Sequence, residues 1–323
     1  MTPPESGTAR SPRSVRLLRG AGVLLAVALL GLGLAAVLAP DPAPPAPTPS
    51  TSLPPSATPS PSPTPSGTPT PSTPPELDPP LMTGSIRVGQ RPVAVALDTD
   101  AGLGYTANHD GGDVSVLDLT SGVEIATLAV PGRPAGIATG PSGVVYVADR
   151  TGARVHRIDV ATGGRLSTWR VGKRPVALAL DTEGGRLYVA VRDAVETYDT
   201  SSGERVARLT VAGPADLAVD TRTHEVWVLD GSGEVGVYDP RTGDWTTTGF
   251  GDAGATGLDV DAARGRLYLV GSDQGLAEWD LDTAAMRRLV LTETATAIRV
   301  DRDNRIAYLA DPEGDTVIAL SVA

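Results

Sequence analysis

Three arginines lie at the same position of a repeated phrase, each directly before a proline. The phrase reads Gln90-Arg91-Pro92, Gly132-Arg133-Pro134 and Lys173-Arg174-Pro175. A guanidinium group presents several N–H donors in one plane, so it binds phosphate and carboxylate groups through paired hydrogen bonds. We therefore take Arg91, Arg133 and Arg174, with the adjoining Lys173, as candidate ligand-binding residues for an anion. The alternative interpretation is that the phrase only fills a solvated turn of the repeat.

These basic turns belong to an acidic chain. Residues 81–323 contain 23 arginines and lysines against 34 aspartates and glutamates. The corresponding places in the next three copies of the repeat carry no arginine, and read Gly213-Pro214, Asp252-Ala253 and Glu293-Thr294. A net negative domain disfavours DNA and RNA, whose phosphates require an extended positive surface. We predict no nucleic-acid partner, and an arc of arginines confined to the first three copies.

The residues that most often perform acid–base chemistry are scarce and scattered. His109, His156 and His224 are the three histidines, and each lies in a different copy of the repeat. They form neither a His-Glu-x-x-His nor a His-x-His spacing, and the sequence has no nucleophile elbow, P-loop or dinucleotide fingerprint. We therefore predict no catalytic residues and no cofactor.

Acidic turns are the remaining candidates for a metal site. They are Asp110-Gly-Gly-Asp113, Asp230-Gly-Ser-Gly-Glu234 and Asp311-Pro-Glu-Gly-Asp315. Calcium takes about six to eight oxygen ligands, and the longer carboxylate pattern of an EF-hand loop is missing here. The sequence contains no cysteine to supply thiolate ligands. Because Asp and Gly are ordinary residues of tight turns, no metal site is predicted.

One repeated unit accounts for residues 81–323. An Asp that opens a turn recurs at intervals of 41, 40, 40 and 41 residues, at Asp118, Asp159, Asp199, Asp239 and Asp280. An aromatic residue recurs in all six copies, at Tyr105, Tyr146, Tyr188, Trp227, Tyr268 and Tyr308. Each copy begins with a short apolar segment rich in small residues, such as 92–98, which suits strands that converge on a narrow axis. About four strands per 40 residues predict an all-β, six-bladed β-propeller.

The other aromatic residues do not predict a stacking platform for sugars or bases. Tyr198, Tyr238 and Trp279 each directly precede the repeated Asp, so we place them in the core by position. Trp169, Trp245 and Phe250 are then left, and they are too scattered to form one surface.

Ring closure is also predicted. Residues 85–88 (Ser-Ile-Arg-Val) precede the first copy and match the outer-strand phrases at 128–130 and 209–211. We expect them to supply the fourth strand of the last blade. Closing the ring in this way removes the unpaired strand edges that a linear array would expose.

The N-terminal region predicts a membrane anchor. Residues 20–39 are uncharged and almost entirely apolar, which is enough to cross a bilayer as a helix. Basic residues precede this stretch at Arg10, Arg13, Arg16 and Arg19, and the next one is Arg87. The positive-inside rule then places residues 1–19 in the cytoplasm and the propeller outside it. Small residues at Val37 and Ala39 leave a cleaved signal peptide as the alternative.

Residues 40–80 predict a linker between this helix and the propeller. They are dominated by Pro, Ser and Thr and cannot bury a core. Such a segment favours the polyproline-II conformation and reaches on the order of 120 Å when extended. The chain is thus predicted to be a single-pass protein of the cell membrane with its propeller at 81–323.

Several phrases resemble the YVTN β-propeller repeats of bacterial surface proteins. They are Val145-Tyr-Val-Ala-Asp149, Leu187-Tyr-Val-Ala190 and the Val-Gly-x-x-Pro phrases at 88–92 and 171–175. More distantly, the chain is similar to NHL propellers. The resemblance implies an extracytoplasmic propeller that acts as a binding or scaffold module.

We therefore expect a membrane-anchored, non-catalytic module whose partner is a protein or an anionic cell-envelope polymer. The alternative is a propeller enzyme with its site at the channel mouth. Streptogramin lyases, propellers of a related repeat type, use His and Glu on one face, and no paired His–Glu spacing occurs here. A lactonase-type propeller would hold a divalent ion at the channel mouth through carboxylate and amide oxygens from several blades. Asn108 and Asn304 are the only asparagines, so the sequence supplies few such amide oxygens.

Overall fold

The computed structural model describes residues 82–271, 275–291 and 293–322. The regular structure of these residues consists of β-strands in six antiparallel sheets of four strands each. The predicted all-β, six-bladed propeller is therefore confirmed.

The strands are numbered in chain order, beginning with β1 (Met82–Arg87). Blade 1 contains β2 (Pro92–Asp98), β3 (Leu103–Asn108), β4 (Asp113–Asp118) and β5 (Val123–Ala129). Blade 2 contains β6 (Pro134–Gly140), β7 (Val144–Asp149), β8 (Arg154–Asp159) and β9 (Arg165–Arg170). Blade 3 contains β10 (Ala177–Asp181), β11 (Arg186–Val191), β12 (Ala194–Asp199) and β13 (Arg205–Thr210).

The second half of the ring continues the same order. Blade 4 contains β14 (Asp216–Asp220), β15 (Glu225–Leu229), β16 (Glu234–Tyr238) and β17 (Trp245–Gly251). Blade 5 contains β18 (Gly257–Asp261), β19 (Arg266–Gly271), β20 (Gly275–Asp280) and β21 (Met286–Leu289). Blade 6 contains β22 (Ala297–Asp301), β23 (Ile306–Asp311) and β24 (Thr316–Ser321), and its fourth strand is β1.

The first strand of each blade lies innermost, and these six strands contact one another around the central channel. Small residues are required where they approach most closely. A Cβ on Gly136 would lie 2.9 Å from the Cα of Ala177, and one on Gly257 would lie 2.8 Å from the Cα of Ala297. Protein interiors leave no room for such overlaps. The inner strands therefore require small residues because they converge on a narrow axis, as predicted.

The repeated aromatic residue of the second strand lies in the core. All six members of the set are buried, as are Tyr198 and Tyr238, while Trp279 is half-buried. Tyr105 of blade 1, for example, belongs to one apolar cluster with Ile137 and Val145 of blade 2. Burial of these large rings between successive blades stabilises the ring, because apolar area removed from water dominates the folding energy.

Trp169 is also part of this apolar layer. Its ring packs between Tyr146 and Tyr198, with centroid distances of 5.5 Å and 6.4 Å. Phe250 packs in the same manner on Trp279 at 5.5 Å. These side chains therefore contribute packing between strands and do not form a separate aromatic surface.

The repeated Asp closes the turn between the third and fourth strands. Asp118 Oδ1 accepts the backbone N–H groups of Ser121 and Thr120 at 2.9 Å and 2.8 Å, and these bonds lower the pKa of Asp118. Gly122 takes the left-handed φ of 67° that a side chain would oppose. In the equivalent turn of blade 4, a hydrogen bond from the Arg241 side chain lowers the pKa of Asp239 to about 2. The repeat is therefore built on the predicted Asp turns.

Strand β1 closes the ring by completing blade 6. It pairs antiparallel with β24, so that Ile86 lies opposite Val317 and Arg87 opposite Thr316. The N–H of Val88 then donates to the carbonyl oxygen of Asp315 at 3.0 Å. Ile86 and Val88 are both buried. Closure by this strand is confirmed.

Three predicted segments lie outside the described residues: the cytoplasmic segment 1–19, the membrane helix 20–39 and the linker 40–80. Within the part of the chain that the structure describes, no helix is both long and apolar enough to cross a membrane. The anchor and the linker therefore stay predictions.

Candidate anion-binding site at one mouth of the channel

The central channel has two mouths. At the upper mouth, defined as the end where the six innermost strands begin, a cavity of about 320 Å³ is lined by Arg91, His109 and Arg150, among others. At the lower mouth a second cavity of about 350 Å³ is lined on one side by apolar residues such as Leu97. Arg299 lies between the two and contributes to the lining of the lower cavity. All four predicted site residues lie at the upper mouth.

The x-Arg-Pro turns hold their arginines in a defined backbone conformation. Arg91 and Arg174 both take a left-handed φ of 55°. The N–H of Arg91 also donates to Asp315 Oδ1 at 2.7 Å. A non-glycine residue at positive φ is uncommon and persists only where its surroundings impose it. The turn therefore presents its side chain from a fixed backbone.

In blades 1 to 3, a second turn lies beside the x-Arg-Pro turn. This second turn directly follows the second strand of the blade. The backbone N–H of its first residue donates to a carbonyl of the x-Arg-Pro turn at 2.9–3.0 Å, in the pairs His109 to Arg91, Arg150 to Arg133 and Arg192 to Lys173. Two rows of turn residues therefore surround the upper mouth in blades 1 to 3.

Two of the predicted arginines share one carboxylate. Arg91 Nη1 lies 3.5 Å from Asp110 Oδ2, and Arg133 Nη1 lies 4.0 Å from Asp110 Oδ1. The two arginine side chains are 56% and 59% exposed. Ion pairs at such positions contribute only about 0–1 kcal/mol, so Asp110 leaves both guanidinium groups accessible to a ligand.

Arg174 does not join this pair. It lines a separate cavity together with Arg150 and Arg192, and Lys173 is exposed beside it. Arg150 connects the two groups, because it also lines the upper-mouth cavity with Arg91. Burial lowers the pKa of Arg150, and the positive charges of Arg174 and Arg91 lower it further. The predicted arc is thus divided into two clusters that share Arg150.

The x-Arg-Pro phrase predicts only part of this cationic surface. Arg150 and Arg192, which it does not include, follow the second strand of blades 2 and 3. With His109 they recur at intervals of 41 and 42 residues, which is the period of the repeat itself. That spacing is the signal in the sequence that identifies the second row.

The three histidines lie in different settings. His109 Nδ1 is 2.8 Å from the carbonyl oxygen of Pro134. Because a carbonyl only accepts hydrogen bonds, Nδ1 carries the hydrogen and Nε2 is the remaining nitrogen. His156 is buried inside blade 2, and His224 Nδ1 lies 2.9 Å from Asp181 of the neighbouring blade. Of the three, His109 is the one at the upper mouth.

The carboxylates of the acidic turns bond to protein groups within their own turn or in a neighbouring turn. Asp113 Oδ1 accepts a hydrogen bond from Asn108 Nδ2 at 2.7 Å. Asp230 Oδ1 accepts the backbone N–H groups of Ser232 and Glu234 at 2.8 Å and 3.0 Å. Across residues 82–271, 275–291 and 293–322, no group of three or more His, Asp or Glu side chains is arranged to hold a metal ion.

The chain is thus a six-bladed β-propeller with a cationic upper mouth. No protein-family model matches it, and no curated protein is similar to it in sequence. Among solved structures it is similar to Kuenenia stuttgartiensis hydrazine synthase, with a TM-score of 0.54 and 16% identity over 68% of this chain and 73% of that one. At that identity the similarity shows the fold alone. Membership of the YVTN family stays a prediction.

Proposed function

We propose that this chain is a non-catalytic binding module that holds an anionic ligand at the upper mouth of its propeller. The observation that carries the proposal is the distribution of charge. An acidic domain gathers basic side chains on the turns of three adjacent blades, namely Arg91, Arg133, Arg150, Lys173, Arg174 and Arg192. Guanidinium groups that converge in this way favour phosphate or carboxylate ligands.

The partner in this proposal is an anionic cell-envelope polymer or an acidic segment of a protein. Residues 20–39 anchor the chain in the membrane with its N-terminus in the cytoplasm, and the linker 40–80 carries the propeller outward. The four arginines before the apolar stretch and the composition of the linker support this placement.

The settings of the histidines support a binding role over the alternative of a lyase or a lactonase. His109, the histidine at the upper mouth, has its Nδ1 engaged by a backbone carbonyl. His224 Nδ1 is engaged by Asp181, and His156 is 1% exposed and inaccessible to a substrate. General acid–base catalysis requires a group within reach of the reacting atoms.

The test measures retention of the purified full-length protein on isolated cell envelope, by co-sedimentation at low and at high salt. The test variant carries Arg91→Gln, Arg133→Gln and Arg174→Gln. A matched control carries Arg165→Gln, Arg222→Gln and Arg241→Gln, which removes the same charge from hairpins on the opposite face. In the control set, Arg222 and Arg241 are 68% and 61% exposed, so their loss should leave the fold intact.

We expect retention to fall in the test variant and to persist in the control variant. Retention of the wild-type protein should also decrease as salt is raised, because screening shortens the range of the attraction. Equal retention of the test and control variants would contradict the proposed function. If retention is lost after proteolysis of the envelope, the partner is a protein; if it survives, the partner is the polymer.

A further inference from the structure

A cavity at the upper mouth between blades 2, 3 and 4 is lined by three arginines. Its volume is about 220 Å³, and its charged residues are Arg150, Arg174 and Arg192. The rest of the lining consists of two valines and the Gly213-Pro214 turn, and no acidic side chain takes part. We call this cavity the oxyanion pocket.

Within the part of the chain that the structure describes, no carboxylate pairs with the arginines of the oxyanion pocket. Among the described residues (82–271, 275–291 and 293–322), none of the three guanidinium groups makes an ion pair. Arg91 and Arg133, by contrast, both lie close to Asp110. Among the described residues, no ion-paired carboxylate therefore offsets the positive charge of the pocket.

The two carboxylates nearest in sequence are engaged elsewhere. Asp149, which precedes Arg150, is 3% exposed, and its Oδ1 accepts the N–H groups of Arg133, Thr151 and Gly152. Asp193, which follows Arg192, pairs with Arg208 on the outer strand at 2.7 Å. The fold thus directs both acidic side chains away from the pocket while their basic neighbours line it.

The backbones that carry these arginines are fixed. The N–H of Arg150 donates to Arg133, and the N–H of Arg192 donates to Lys173, both at 3.0 Å. Arg174 takes the left-handed φ of 55° and is followed by a proline, which restricts its turn further. A ligand therefore has to order the arginine side chains but not their backbone, which lowers the entropic cost of binding.

The like charges around Arg150 repel one another. Burial, Arg174 and Arg91 all act to lower the pKa of Arg150, in that order. An anion bound among these groups would reverse the repulsion and would replace the water lost on burial. A phosphate monoester provides about −1.5 to −2 charges and three acceptor oxygens, which matches three guanidinium groups better than one carboxylate does.

We propose that the oxyanion pocket formed by Arg150, Arg174 and Arg192 binds a phosphoryl group, either free phosphate or the phosphate ester of a larger molecule. This inference rests on the proposed function and names the ligand chemistry of one part of that site. The volume admits a phosphoryl group with a small attached moiety, and the open side allows the rest of an ester to extend into solvent.

The experiment is titration calorimetry on the purified full-length protein in a low-salt, phosphate-free buffer. The probes are inorganic phosphate, glycerol 1-phosphate and acetate. The variants are Arg150→Gln, Arg174→Gln and Arg192→Gln, with Arg165→Gln on the opposite face as the matched control. Thermal unfolding of each variant verifies that the fold is unchanged.

We expect saturable binding of both phosphate probes at one site, and acetate binding at least about tenfold weaker. Each pocket substitution should raise the Kd for phosphate about tenfold, because a charge-assisted hydrogen bond is lost, while Arg165→Gln should leave it unchanged. Tighter binding of glycerol 1-phosphate than of phosphate would indicate an ester as the ligand, and the reverse order would indicate free phosphate. Both orders support the pocket.

Absence of saturable phosphate binding would overturn the proposal, as would equal Kd values in Arg150→Gln and Arg165→Gln. This outcome is separable from failure of the proposed function. Envelope retention that depends on Arg91, Arg133 and Arg174, in a protein that binds no phosphate, would retain the proposed function and reject the pocket. Phosphate binding that depends on Arg150, together with equal envelope retention of the triple test and control variants, would retain the pocket and reject the proposed function.

Discussion

Arg299 and Asp216 form a bidentate ion pair inside the central channel, across the innermost strand of blade 5. Arg299 lies on β22 and Asp216 on β14, and their atoms meet at 3.0 Å (Nη1 to Oδ2) and 3.2 Å (Nη2 to Oδ1). The guanidinium group also donates to the carbonyl oxygens of Ile298, Leu258 and Leu217. One side chain therefore connects three blades at the axis of the ring.

Replacing Arg299 alone should be strongly destabilising. Arg299→Met would leave the buried carboxylate of Asp216 without its partner, which typically costs about 3–5 kcal/mol of unfolding free energy. The double variant with Asp216→Asn removes the unpaired charge and retains an acceptor for the N–H of Leu258. We expect the double variant to be more stable than Arg299→Met in urea denaturation. If the double variant loses as much unfolding free energy as the two single variants lose together, Arg299 and Asp216 are not energetically coupled, and the ion pair is contradicted.

The close approach of the innermost strands gives a second prediction. Gly136→Ala should destabilise the ring by about 1–3 kcal/mol, because its Cβ would overlap the backbone of β10. Gly84→Ala is the matched control, since a Cβ there would meet no atom within 4 Å. Thermal unfolding of the two variants compares them directly. Equal melting temperatures would show that the inner strands can separate without cost.

The repeat made the fold predictable. The Asp turns and the second-strand aromatics mark equivalent points in each copy. Their period of about 40 residues is enough to predict a ring of blades. Closure by Ile86 and Val88 was predictable for the same reason, because the phrase that contains them matches the outer-strand phrases of the repeat. Local pattern and global topology agree throughout this part of the chain.

The position of the candidate site was predictable from the repeat, but the ion pairs of its arginines were not. Arg91, Arg133 and Arg174 share a place in the repeat, yet Asp110 approaches the first two and not the third. Which carboxylate reaches which guanidinium depends on side-chain directions that the period does not determine. The Arg299–Asp216 pair is likewise not predictable from the period, because its two residues are 83 positions apart and do not belong to one repeated phrase.

The arrangement of the N-terminal region is a third prediction. If residues 20–39 are an uncleaved anchor and 40–80 an exposed linker, protease added to intact cells should release a fragment that contains the propeller. The propeller itself should resist cleavage, because its strands are hydrogen-bonded and its turns are short. An immunoblot of the medium and of the cell pellet measures this. Release without protease would indicate a cleaved signal peptide, and full protection until lysis would contradict the extracytoplasmic placement.

His156 should make the stability of the propeller depend on pH. Its side chain is 1% exposed, and burial lowers its pKa below the usual value, while the charge of Asp149 opposes that effect only in part. An unfolded histidine has a pKa of about 6.5. As pH falls through that value, the unfolded state binds a proton that the folded state does not bind. Stability is therefore complete above about pH 6.5 and is lost as pH falls toward the folded pKa.

The measurement compares the wild-type protein with His156→Leu in urea at pH 7.5 and at pH 5.5. One proton bound only by the unfolded state gives a slope of at most about 1.4 kcal/mol per pH unit, so the wild-type protein should lose more stability than the variant. His109 and His224 are common to both proteins and cancel in the comparison. Burial acts to raise the pKa of Asp149, but hydrogen bonds from Gly152, Arg133 and Thr151 outweigh it and lower the pKa, so this carboxylate stays ionised across the window. An equal loss of stability in the two proteins would show that His156 takes up its proton in the folded state.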